Sequence, residues 1–314
     1  MLYWSDICGQ DRPREILERA IDTGRVHHAY LFTGLRGVGK HLTARTLAAV
    51  VNCTERPEDT FRDACGACSS CRKIAGGQHP DVLEVAPDGQ FIKIDQIREI
   101  QKAATRAPYE GRYRLVIIDD AHRLTDAAAN ALLKTLEEPS ERMRLMVITD
   151  QPHGLLDTII SRCQVLRFGA LDENVVVERL DELIERDDDF DEPVERDLLA
   201  LAAAYGEGSL GRALSVLKSG MLEEREELLS RLTDLPPGQP ARLLDLADEL
   251  SDDRDELERR LDVLLVFFRD ALVYATTGRD DRLVNSDLNE LVADYAARVE
   301  PDDLIEMIER VREA

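Results

Sequence analysis

Ala29-Tyr-Leu-Phe-Thr-Gly34-Leu-Arg-Gly-Val-Gly-Lys40 is the stretch on which the fold class of this chain turns. A five-residue apolar run ends in glycines, and a helical pattern opens at Lys40. In that strand–loop–helix setting G-x-x-x-x-G-K is a phosphate cradle: the glycines let successive backbone N–H groups face one anion, and the lysine reaches the terminal phosphates. Gly34, Gly37, Gly39 and Lys40 are therefore candidate nucleotide contacts. Further along, Arg114-Leu-Val-Ile-Ile-Asp119 and Leu145-Met-Val-Ile-Thr149 read as buried parallel strands. Helical patterns over 94–106 and 126–136 separate them, the second halted before Pro139. The alternation predicts βαβ units around a parallel sheet through residue 170.

Two positions depart from what a hydrolytic phosphate loop needs. His41 stands where Ser or Thr normally ligates Mg²⁺, a hard ion that prefers oxygen, and Thr43 lies too far round the helix to replace it. Asp119 and Asp120 close a strand, where the first acid holds Mg²⁺ and the second, usually Glu, polarises the attacking water. Asp120 is one methylene short, roughly 1.5 Å of lost reach. Both departures point to a site that hydrolyses poorly or not at all.

The chain has 314 residues, enough for two or three domains. Residues 1–170 hold 23 acids and 23 bases, whereas 171–314 hold 40 acids and 17 bases, so the whole net charge of −23 lies in the second part. That part should repel DNA phosphates. Of the bases 34 are Arg and only 6 Lys, which fits either adaptation to salt or solvated helical faces in an Arg-rich proteome. From about residue 171 strand signals vanish, and leucine-rich amphipathic stretches over 175–185, 193–204, 209–218, 223–233, 242–250 and 255–274 predict an all-helical remainder. The longest apolar run, Val263 to Phe268, is far short of a membrane span. The first six residues lack a basic or apolar export signal, so a cytoplasmic location with no membrane partner is expected.

Cys53, Cys65, Cys68 and Cys71 give C-x11-C-x2-C-x2-C in a polar insert, a spacing suited to a closed tetrahedral Zn²⁺ site with a stabilising role. A reducing compartment argues against disulfides there. Cys8 and Cys163 lie outside the cluster and are expected to be buried thiols.

The run Asp119-Asp-Ala-His-Arg-Leu-Thr-Asp-Ala-Ala-Ala-Asn-Ala-Leu-Leu-Lys-Thr-Leu-Glu-Glu-Pro139 resembles the long signature of bacterial DNA polymerase III clamp-loader subunits. His28-Ala-Tyr-Leu-Phe32, the cysteine insert, His79-Pro-Asp81 and Thr158-Ile-Ile-Ser-Arg-Cys163 are similar as well. The likeness is dense over about residues 1–215. It implies an α/β AAA+ phosphate-loop module over 1–170 with a zinc insert at about 53–71. A three-helix lid over 171–218 and a C-terminal helical collar over 219–314, joining five subunits in a ring, would follow. The family opens a sliding clamp and loads it on primed DNA. Its motor (gamma/tau) and delta-prime types share these motifs; length without a tail, His41 and Asp120 favour the non-motor delta-prime type, usually without ATPase activity. The resemblance further implies that Arg162 is an arginine finger for a neighbouring motor subunit, that Arg212, in Gly208-Ser-Leu-Gly-Arg212, is the lid arginine that senses nucleotide, and that Thr149 is a polar sensor. Partners would be motor and clamp-opening delta subunits, the clamp, and DNA through the complex.

Arg98, Lys102 and Arg106 share one helix face, a stripe that suits either phosphate contact or solvation. No polymerase or nuclease acid cluster is apparent, so any polymerase activity would be the holoenzyme's. The alternatives are a motor-type ATPase that tolerates His41, and a nucleotide-binding regulator outside replication.

Overall fold

The computed structural model describes residues 2–55, 63–186, 189–190, 193–234 and 254–313. Five strands, β1 (Ala29–Thr33), β2 (Val82–Val85), β3 (Arg114–Ile118), β4 (Met143–Thr149) and β5 (Gln164–Arg167), form one parallel sheet in the order β2-β3-β4-β1-β5. The fold is the expected α/β class, a parallel sheet with the phosphate loop at the end of β1. Helix α1 (Asp11–Asp22) precedes the sheet. Helices α2 (Lys40–Asn52) and α3 (Ser69–Ala75) connect β1 to β2, α4 (Ile94–Ala104) connects β2 to β3, α5 (Asp126–Glu137) connects β3 to β4, and α6 (Asp157–Ile160) precedes β5.

Apart from Arg114, Arg144 and the closing threonines Thr33 and Thr149, the central strands are apolar because both sheet faces are covered. Their period of two deals side chains to two separate cores. Tyr30, Phe32, Leu115, Ile117, Met146 and Ile148 enter the core that packs on α1 and α2. Leu31, Val116, Ile118, Leu145 and Val147 enter the one that packs on α4 and α5. Each fully buried side chain of this size contributes about 1.5–3 kcal/mol, which makes the three inner strands the rigid part of the module. β2 and β5 were not legible as strands: each is four residues long and lies at an edge of the sheet, and Glu84, Gln164 and Arg167 interrupt their apolar pattern.

His79-Pro-Asp81 has a structural task. Asp81 is fully buried and accepts hydrogen bonds from the backbone N–H groups of Tyr109 (2.7 Å), Glu110 (2.8 Å) and Gly111 (2.9 Å) and from the Arg114 guanidinium (2.9 Å). Burial pushes its pKa up, but these donors outweigh it and hold the carboxyl below its ordinary value. The pair ties the start of β2 to the start of β3.

The chain divides into two compact units, 1–175 with 208–211, and 176–207 with 212–314. In the second unit the described residues are all helical or loop: Glu173–Ile184 runs into it, followed by Arg196–Gly206, Leu210–Lys218, Met221–Thr233, Arg254–Thr277, Asn289–Ala296 and Pro301–Glu313. The helix expected over 242–250 lies outside the described residues. A buried polar network holds this unit. Asp270 accepts from the Asn285 N–H (2.8 Å) and side-chain amide (2.9 Å), while Asn285 Oδ1 accepts from the Tyr205 hydroxyl (2.7 Å) and Arg225 (2.6 Å). Leucine-rich periodicity gave no hint of it.

Candidate functional site

The phosphate loop sits at the carboxyl end of β1. Gly34 has a φ of +142° and is backed by the Phe168 carbonyl, which would lie 2.3 Å from a Cβ added there, so only glycine fits. Gly37 and Gly39 also have positive φ, and Gly39 caps α2. The Lys40 ammonium, nearly buried, donates to the carbonyls of Gly34 (2.7 Å) and Leu35 (2.6 Å) of its own loop. Burial lowers its pKa, against Asp150, Asp119 and Asp120, which raise it. The segment Gly208–Gly211 lies against the same loop: Ser209 Oγ donates to the Arg36 carbonyl (2.7 Å), and the Gly211 N–H to the Gly37 carbonyl (3.0 Å).

His41 is engaged by β2. Its Nε2 lies 3.1 Å from Glu84 on β2, which Arg45 also contacts at 3.2 Å. Thr43 donates back to the Gly39 carbonyl (2.8 Å) inside its own helix. Neither offers an oxygen to a cation at the loop.

Asp119 and Asp120 lie at the carboxyl end of β3, with Asp120 in the left-handed region and its N–H bonded to Asp119 Oδ1 at 3.0 Å. Thr149, fully buried at the end of β4, has its hydroxyl 3.2 Å from His122 Nδ1 and accepts the Gln151 N–H at 3.0 Å. Asp120, His122 and Asp150 each bring a donor atom within 4.8 Å of the others. His122 and Asp150 escaped the sequence reading, although both follow ends of legible strands.

Arg162 lies at the opposite end of the sheet. It lies two residues before the start of β5, and β5 pairs with β1 from Gln164 opposite Tyr30, so Arg162 sits at the amino end of β1. Five residues of strand, roughly 16 Å at 3.3 Å each, separate the two ends. Its guanidinium bonds to Glu137 at the end of α5 (2.8 Å) and to the Thr158 carbonyl (2.9 Å). Arg162, Glu137, His27, His28, Cys163 and Gln164 line a cavity of about 500 Å³. Burial lowers the pKa of His28. Glu137 had been read only as part of a motif.

The four cysteines come together. Their sulfurs lie within 4.8 Å of one another, and Cys65 and Cys71 are 3.9 Å apart. Ligands about 2.3 Å from a tetrahedral ion stand about 3.8 Å from each other, so the group can hold a metal ion. Backbone N–H groups of Cys65, Cys68 and Cys71 point at the sulfurs of Cys53, Cys65 and Cys68 at 3.3–3.4 Å, an arrangement that favours thiolate. Burial raises the thiols of Cys53 and Cys71, whereas at Cys68 hydrogen bonds from Thr54 and the Cys71 N–H outweigh burial and bring it down to about 6. No disulfide joins any of the six cysteines. Cys8 and Cys163 are half-buried and not fully enclosed as expected, and burial pushes Cys163 up to about 12.

Arg212 pairs with Glu207 (3.1 Å) and Asp262 (3.2 Å) within the second unit. On α4, which ends at Ala104 and not at Arg106, Arg98 pairs with Asp95 (2.8 Å) and Lys102 with Glu99 (2.6 Å). The basic stripe is therefore largely neutralised in place. Among the described residues no helix is long and apolar enough to cross a membrane.

The family model described as DNA polymerase III, delta subunit, matches residues 9–172, and that for the delta subunit's C-terminal part matches residues 219–314. The chain is 31% identical to DNA polymerase III subunit delta' of Bacillus subtilis, covering 97% of this chain and 89% of that protein. It is likewise 31% identical to subunit tau of Bacillus subtilis, with 98% of this chain and 56% of that protein covered. It is 38% identical to subunit tau of Escherichia coli, with 68% and 32% covered. The chain thus spans between a third and little more than half of these tau subunits.

Proposed function

The chain belongs to the family of bacterial DNA polymerase III clamp-loader subunits, and from that membership we propose that it is a non-motor, delta-prime-type member whose chemistry is exercised on a neighbour's nucleotide. In this reading residues 1–170 are the AAA+ core, 171–218 the lid and 219–314 the collar that joins the ring. The subunit works in the cytoplasm with motor and clamp-opening subunits, and reaches the sliding clamp and primed DNA through the complex.

The observation that carries action on a neighbour is the separation of Arg162 from the chain's own phosphate loop; the non-motor part rests on His41 and Asp120. Ligands of open parallel sheets lie beyond the carboxyl ends of the strands. Arg162 stands at the amino end, about 16 Å of strand away, farther than an arginine side chain spans. A guanidinium there can meet phosphate oxygens only on another molecule, where its fixed charge and planar fork stabilise a transferring phosphoryl group. In this reading Gly34, Gly37, Gly39, Lys40, Asp119, Asp120 and Thr149 of the first unit would make up a degenerate nucleotide site, while Arg212 is engaged by Glu207 and Asp262 in the second. His41 is engaged by Glu84, so a Mg²⁺ ion there lacks the hydroxyl ligand that holds it in hydrolytic loops. Cys53, Cys65, Cys68 and Cys71 would hold a structural Zn²⁺ that fixes the insert between α2 and α3.

A motor-type reading draws on the equal identity to the tau subunit. Calorimetric titration of Mg-ATP into the purified chain, with turnover followed on the same sample, separates the two. No turnover is expected; multiple turnover would establish the motor type.

A further inference from the structure

Resting on the assignment of Arg162 to a neighbour's nucleotide, we infer that Glu137 is a positioning residue that holds the guanidinium back on its own subunit until polyphosphate oxygens displace the carboxylate. Glu137 and Arg162 come from different elements, the end of α5 and the turn before β5, and meet at 2.8 Å on the wall of the same cavity. Of the side chains lining it, these two carry permanent opposite charges. Burial lowers the pKa of His28 beside them.

The second hold on Arg162 is internal. One terminal nitrogen donates to the Thr158 carbonyl (2.9 Å) and to Ser161 Oγ (3.4 Å), which leaves the other terminal nitrogen, the one on Glu137, as the edge that turns toward a ligand. Carboxylate and phosphate recognise a guanidinium through the same N–H donors, so a phosphate oxygen that takes the nitrogen now on Glu137 competes with the carboxylate for it. The pair is accessible, Arg162 being about 35% and Glu137 about 51% exposed in their side chains. Exposed pairs of this kind are weak, so the contact orients the arginine and yields without a large barrier. Loss of such a pair corresponds to a two- to fivefold change in an equilibrium.

The test is steady-state ATP hydrolysis by a reconstituted clamp-loader ring carrying Glu137→Gln, Glu137→Asp or Arg162→Ala in this subunit, with ring assembly checked by gel filtration. Glu137→Gln should lower the ring's KM for ATP two- to fivefold while kcat moves by less. The shift should shrink at high ionic strength, where the wild-type pair is already screened. Glu137→Asp should stay near the wild-type KM. An unchanged KM in Glu137→Gln, in a ring that loses turnover with Arg162→Ala, overturns the role of Glu137 and leaves the proposed function standing. A ring indifferent to Arg162→Ala overturns both.

Discussion

The two ends of the parallel sheet treat their cations differently. At the carboxyl end every candidate group is committed within the chain: Lys40 to two carbonyls of its own loop, His41 to Glu84, Thr43 to the helix it stands on. At the amino end Arg162 keeps one terminal nitrogen on the Thr158 carbonyl and sets the other against an exposed carboxylate beside an open cavity. Internal bonds from a buried ammonium are costly to exchange, whereas an exposed ion pair is worth about 0–1 kcal/mol and exchanges readily. The exposed Arg36 of the phosphate loop aside, the fold thus also holds an accessible arginine at the end away from that loop, which suits a subunit that acts on its neighbour.

Removing the metal from the cysteine cluster is the change expected to separate the two ends most. Structural zinc contributes on the order of 10 kcal/mol in isolated small domains, and here Cys53 ends the helix that begins at the phosphate loop. Metal analysis should find one zinc per wild-type chain and none in Cys71→Ser. Hydrogen exchange should then rise over residues 63–75 but not over 158–167; equal loosening at both ends would contradict the local role assigned to the cluster.

Asp81→Ala attacks the sheet that both ends share. Leaving Arg114 buried without its carboxylate should cost about 3–5 kcal/mol in urea-induced unfolding. Because the folded-state pKa of Asp81 is depressed, its contribution is complete above about pH 4, the range of an unfolded carboxyl, and is lost as pH falls through the lower folded value. The wild type and the variant should therefore converge in stability in that acid range, and a difference that persists there would point to lost packing in place of the charge.

Restoring the carboxyl-end chemistry with His41→Thr and Asp120→Glu together should tighten Mg-ATP binding about tenfold, read by calorimetry, since a hydroxyl ligand and a longer acid return. Unchanged affinity would mean that the self-bonded Lys40, and not His41, closes the site. The smallest effect is expected from reversing Arg98, Lys102 and Arg106: two of the three are already paired on α4, so primer-template affinity of the ring should fall less than about threefold at physiological salt.

What was legible follows from periodicity and spacing. Continuous apolar runs located β1, β3 and β4, and the cysteine spacing anticipated four converging sulfurs, because each signal is local in sequence. β2 and β5 were missed because an edge strand of four residues has too few positions to show a period. The partners of His41 and Arg162 were missed because Glu84 lies 43 residues from the first and Glu137 lies 25 from the second. Such pairings are fixed by strand order, which no local pattern encodes. Arg162 itself was singled out through family resemblance, while its position at the amino end of β1 required the sheet register.

The account is tested most directly by measuring clamp-stimulated ATP turnover in reconstituted rings that carry either Arg162→Ala or Lys40→Ala in this subunit. Arginine fingers are worth about 10³–10⁵ in kcat at the site they serve, so the first ring should lose the whole share of turnover that comes from the adjacent motor site. The second should keep wild-type turnover. Loss of turnover with Lys40→Ala and none with Arg162→Ala would contradict it.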